Sequence, residues 1–139
     1  MPDTELLAKG RAMRRTLVGD VCADKLDREV YVNKHMEKFG DVCQEVLFAQ
    51  LWTRAGLDLK TRSLITMICD TAQASTDALH LHVRFCRNHG WSEDEIIEGL
   101  IHCWPYIGVP RARAALLVAT KVFEELQAEA AAANRDMTE

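Results

Sequence analysis

The sequence predicts an all-α protein of about six helices, in one domain spanning residues 1–139. Three observations carry this expectation. Apolar residues recur at helical spacing in several separate stretches. Cap and stop signals bracket those stretches. No segment shows the period-two alternation of a half-buried strand flanked by turns. The chain has 139 residues, enough to bury a core without disulfide or metal staples.

Thr4 is the expected N-cap of a first helix over residues 4–18, with Leu6, Leu7, Met13 and Leu17 on its stripe. Gly10 weakens that helix. Gly19-Asp20 reads as a turn. Residues 24–38 are charged and helical in character, and Gly40-Asp41 marks a stop followed by a new N-cap. Over 42–53, Val42, Val46, Leu47, Ala49 and Leu51 predict a largely apolar helix ending near Trp52, with Arg54-Ala55-Gly56 as cap and loop. Asp58 caps the next helix, which runs to about Asp70 or Ala72. Ser75 or Thr76 starts another that reaches Asn88, with Gly90 at the left-handed stop.

Ser92 and Glu95 form a capping box ahead of the stripe Ile96, Ile97, Leu100, Ile101 and Trp104. Pro105 is expected to end that helix, because it lacks an N–H and pushes Trp104 out of the α region. Residues 106–110 then form a linker. Pro110 opens a last helix to about Ala132, and the tail from about 133 frays. Helices 41–53, 59–72, 93–104 and 111–130 are apolar over broad faces, which points to oligomerisation.

Composition narrows the function classes. Apolar residues make up 48%, charged residues 27%, and the net charge is −4. That balance gives no reason to expect nucleic acid or an anionic membrane as partner. No apolar run approaches the ~20 residues of a membrane span, and no signal-peptide core follows Met1. A cytoplasmic protein is expected. Five cysteines, at 22, 43, 69, 86 and 103, are an odd number with no C-x-x-C. This argues against a disulfide framework, a zinc ribbon and a dithiol redox pair.

The stretch from Leu59 to Gly90 gathers His80, His82 and His89 with Cys69 and Cys86. On a helix His80 and His82 point about 200° apart, so they cannot both ligate one metal. His82, Cys86 and His89 share a face, open to three readings: a metal-binding row, a Cys–His nucleophile pair, or plain helix surface. A histidine could also act as a general acid or base near neutral pH. The arginines at 54, 62, 84, 87, 111 and 113 suit carboxylates but equally form surface ion pairs. No P-loop, H-E-x-x-H or G-x-S-x-G occurs.

A resemblance takes the reading further. Leu51-Trp52-Thr53-Arg54-Ala55-Gly56-Leu57-Asp58, followed by Thr61-Arg62-Ser63-Leu64-Ile65-Thr66, is similar to the carboxymuconolactone decarboxylase family. So are His82-Val83-Arg84, Gly90, Glu95-Ile96, Tyr106-x-Gly108-x-Pro110 and the early Arg14-Arg15-x-Leu17-x-Gly19-Asp20. The resemblance covers nearly the whole chain in order. It implies an AhpD-like helical bundle assembled as a trimer or hexamer, and a decarboxylase that needs no metal or organic cofactor.

Its substrate class would be a lactone acid such as 4-carboxymuconolactone, in the protocatechuate branch of aromatic catabolism, or a related carboxylic acid. Losing carbon dioxide puts negative charge on carbon, so the protein must hold the carboxylate, stabilise the enolate and deliver a proton. His82 matches the family histidine and is the expected acid/base. Arg62 and Arg84 are candidates for carboxylate or oxyanion binding, and Tyr106, Trp52 and Arg54 for substrate binding.

Two departures stand out. Gln50 follows Phe48-Ala49 where the family tends to carry a Glu, and Trp104-Pro105 precedes Tyr106. Both bear on the shape and charge of a pocket. The same fold houses thiol peroxidases with a Glu, C-x-x-C and His motif. Counted back from His82, those positions fall on Ser63, Ser75 and Ala78. A redox protein using other cysteines, and a non-catalytic oligomeric binding relative, are the alternative functions.

Overall fold

A computed structural model describes residues 3–138. Every regular element among them is helical: α1 (Glu5–Val18), α2 (Asp20–Glu29), α3 (Lys34–Val42), a π-helical segment (Cys43–Leu51), α4 (Leu59–Ala72), α5 (Thr76–Asn88), α6 (Glu93–Ile107) and α7 (Val109–Thr138). The chain divides into two compact units, Met1–Arg62 and Ser63–Glu139.

In the first unit, Thr4 caps α1 as expected, its side chain accepting from Leu7 N at 3.1 Å. Leu7, Gly10, Arg14 and Leu17 form the buried stripe, at the three- and four-residue spacing of one helix face. This face packs on the π-helical segment. At Gly10 the packing is so close that a Cβ would stand 1.8 Å from the Gln44 carbonyl oxygen. The residue that lowers helix propensity is the one that lets the two backbones meet. Gly19, at φ 85°, turns the chain into α2. The Arg14 guanidinium is buried, donates to Asp27 at 2.9 Å and lies 5.3 Å over the Tyr31 ring.

Two expectations are corrected here. Residues 24–38 are not one helix, because the chain breaks after Glu29 and Asn33 caps α3 by accepting from His35 N and Met36 N, both at 3.1 Å. Gly40-Asp41 is no stop either. The helix runs through Gly40 into the π-helical turns, and a Cβ at Gly40 would sit 2.9 Å from the Tyr31 ring. Gly40 is there for packing, not for termination.

The second unit has a core of Met67, Leu79, Val83, Cys86, Ile96, Leu100, Ala115, Ala119, Val122 and Phe123, drawn from α4 to α7. Asp58 opens α4, its carboxylate accepting from Thr61 N at 2.7 Å. At the other end Ser75 N donates to Asp70 O at 2.9 Å and Ala74 N to Thr71 O at 3.2 Å, with Ala74 at φ 57°. That is a Schellman turn carrying alanine at the left-handed position. Gly90, at φ 98°, stops α5, and Ser92 and Glu95 form the expected capping box.

Pro105 does not end α6, which continues to Ile107. Its missing N–H removes one bond near the end of the helix. The stop is Gly108, at φ 91°, whose N–H reaches Trp104 O at 3.0 Å. Tyr106 is therefore helical, not part of a linker. Pro110 lies in the first turn of α7 as expected, but α7 does not fray from 133. It stays helical to Thr138 through an alanine- and glutamate-rich run of high helix propensity. Glu139 lies outside the described residues.

Candidate active site

Arg62, Trp52 and Arg54 belong to the first unit. The cap at Asp58 starts α4 so that Arg62 stands one turn in, facing back over the preceding loop. Its Nε donates to Leu57 O at 3.2 Å and its Nη2 to Arg54 O at 3.0 Å. The guanidinium thus braces the loop that carries Arg54, whose side chain is exposed. Trp52 is buried at the end of the π-helical segment, with its backbone N–H donating to Leu47 O at 3.1 Å. Gln50 Nε2 bonds to Glu45 O at 3.1 Å within the same segment. π-helical geometry is rare and is frequent at functional sites where it occurs.

His82 lies in the second unit, on α5. The Schellman turn folds α5 back from α4 so that His82 Nδ1 meets the Asp70 Oδ2 carboxylate oxygen. Both side chains are mostly buried, at 20% and 13% exposure. The Phe85 ring packs edge-on against the imidazole, with centroids 4.8 Å apart and planes at 71°. A carboxylate can only accept, so the pair holds together when Nδ1 carries a proton. The other ring nitrogen, Nε2, is then the one available for exchange.

His80 and Arg84 serve a different cluster. His80 Nε2 lies 2.8 Å from Glu125 Oε2. Arg84 donates to both oxygens of Glu129, at 2.8 and 3.1 Å, and to Glu125 at 3.1 Å. Burial pushes the Glu125 carboxyl up, but the Arg84 hydrogen bond and the His80 charge outweigh it, leaving Glu125 below its ordinary value. Tyr106 is 78% exposed, its ring 5.7 Å from that of His102.

The row of His82, Cys86 and His89 does not form a surface. Cys86 turns into the core, with Sγ 3.8 Å from Met67 Sδ, and burial pushes its thiol up to about 12. Burial also raises Cys103, and Cys69 is exposed. Among the described residues no group of three or more His, Cys, Asp and Glu side chains is arranged to hold a metal ion.

Asp70 was not among the residues singled out from sequence. One signal marks it: it is an acid in the last turn of α4, where the helix dipole disfavours negative charge. Its partner lies on the next helix, so no periodicity within one helix connects the two.

An all-helical protein presenting an imidazole seated on a carboxylate is equipped for proton transfer. The chain belongs to the carboxymuconolactone decarboxylase family, whose model matches residues 37–121. It is 31% identical to 4-carboxymuconolactone decarboxylase of Acinetobacter baylyi, over an alignment spanning 98% of this chain and 100% of the relative. It is also 34% identical to nitrosuccinic acid decarboxylase npaB of Metarhizium robertsii, over 62% of this chain and 60% of that one. These relatives support a decarboxylase of the family.

Proposed function

We propose that this protein is a carboxy-lyase for a small acid whose carboxylate sits beside an electron acceptor, with His82 delivering the proton that replaces carbon dioxide. The observation that carries this reading is the His82–Asp70 pair, with Nε2 left for exchange. The substrate class follows from the chemistry that the two relatives' names share. In 4-carboxymuconolactone the electron pair left by carbon dioxide flows into the conjugated lactone carbonyl. In nitrosuccinic acid the nitro group takes it. Either acceptor stores the charge until a proton arrives, so the reading calls for no metal or organic cofactor.

Arg62 is proposed to hold the carboxylate or the developing oxyanion, with Arg54, Trp52 and Tyr106 as substrate contacts. Arg84 is proposed for the same role, which would require a substrate carboxylate to compete with Glu125 and Glu129 for its guanidinium. Gln50 cannot ionise, which favours an acid other than the lactone itself.

Ultraviolet and mass-spectrometric assays on 4-carboxymuconolactone and nitrosuccinic acid test the proposal by loss of carbon dioxide. Replacing His82 by Ala should lower turnover by ~10²-fold or more while the fold is kept. A variant with full turnover would remove His82 from the chemistry.

The reading includes a homo-oligomer, three or six chains, in the cytoplasm. An apolar groove of about 510 Å³ on the second unit, lined by Ile101, Trp104, Val109 and Leu117 among others, is the kind of surface a second copy covers. Sedimentation velocity showing a monomer at micromolar concentration would count against that assembly.

A further inference from the structure

We infer that Asp70 is the positioning residue for His82: it holds the proton on Nδ1 and leaves Nε2 as the nitrogen that exchanges with substrate. The inference rests on the role proposed for His82.

Four observations converge on it. Asp70 stands in the last turn of α4, a place a carboxylate occupies against the helix dipole unless a donor is held against it. That donor is His82 Nδ1, and both side chains are largely withdrawn from water. Phe85, itself buried to 1% exposure, packs against the imidazole and limits its rotation. The backbone that carries Asp70 is pinned, since Ser75 N bonds to its carbonyl and Arg111 Nη1 donates to Ala72 O at 2.5 Å. Orientation of this kind is what a carboxylate beside a working histidine supplies.

The step balances without a further reagent. The bond between carbon and carboxylate breaks, carbon dioxide leaves, and the electron pair moves into the neighbouring acceptor. The protonated imidazole then gives its Nε2 proton to carbon and becomes neutral. Nδ1 keeps its proton, donated as a hydrogen bond to the Asp70 carboxylate, and solvent returns a proton to Nε2. With the proton on Nδ1 throughout, each turnover starts and ends with the same nitrogen available.

Nitrogen-15 spectra of histidine-labelled protein, with His82→Ala assigning the resonance, test this without substrate. In the neutral imidazole of the wild type the proton should reside on Nδ1. In Asp70→Asn, whose amide can donate as well as accept, that preference should fall. With the acid that the wild type turns over, Asp70→Asn should lower kcat at least tenfold and leave KM within about threefold. A neutral wild-type ring protonated on Nε2 would overturn the inference, and so would an Asn variant with unchanged tautomer and full kcat. His82→Ala with full turnover would instead sink the proposed function while leaving the tautomer result standing. If the Asn variant does not fold, the wild-type spectrum alone decides.

Discussion

Cys86 has 0% exposure and a thiol held near 12 by burial. At pH 7 its thiolate fraction is then roughly 10⁻⁵, against a few per cent for an ordinary cysteine. A group in that state packs; it does not attack a peroxide or a disulfide. Iodoacetamide at about pH 8 should therefore leave Cys86 unmodified in native protein and label it in urea, as peptide mass spectrometry would show. Cys86→Ala should destabilise by about 1–3 kcal/mol through lost burial and a small cavity, with turnover unchanged. Rapid native labelling, or loss of activity in the alanine variant, would restore the redox alternative. Ser63 has 0% exposure, so the position that the resemblance pairs with a thiol peroxidase Glu holds a small side chain packed out of contact with solvent.

The turn between α4 and α5 carries the element-scale argument, because it sets Asp70 against His82. Ala74 sits there at φ 57°, where a Cβ costs about 1–2 kcal/mol. Ala74→Gly should stabilise the protein by about 0.5–1 kcal/mol after the entropy of glycine is set against it. Urea denaturation measures this, and a less stable glycine variant would show that the strain is relieved elsewhere. This element also marks what could be read in advance. Thr4, Asp58, Gly90 and the Ser92–Glu95 box are local signals, and the helices they bound were legible. Gly40 was misread as a stop, and the packing role of Gly10 was not visible, because their meaning lies in Tyr31 and Gln44, residues brought up by packing. Pro105 reads as a breaker in any local window, yet the stop is Gly108. His82 was singled out through resemblance, whereas Asp70 needs the folded hairpin to be seen as its partner.

At the scale of the whole molecule, the response to acid depends on charges that join separate helices, and the cluster between α5 and α7 gives it a definite sign. Glu125 takes contacts from His80 and Arg84, and Glu129 shares Arg84. The carboxyl of Glu125 is held below its ordinary value of 4.5, with the Arg84 hydrogen bond and the His80 charge outweighing burial. A carboxyl depressed in the folded state stabilises above its unfolded value, and that contribution disappears as pH falls through the folded one. Glu125→Gln should therefore be less stable than the wild type at pH 7. The gap should begin to narrow below about 4.5 and close once Glu125 itself is protonated. Urea midpoints of the two proteins, followed from pH 7 down to about pH 3, read this directly. The expected curves converge. A gap of constant size across that range would mean that Glu125 acts through packing on α7 and that its charge contributes nothing to holding α5.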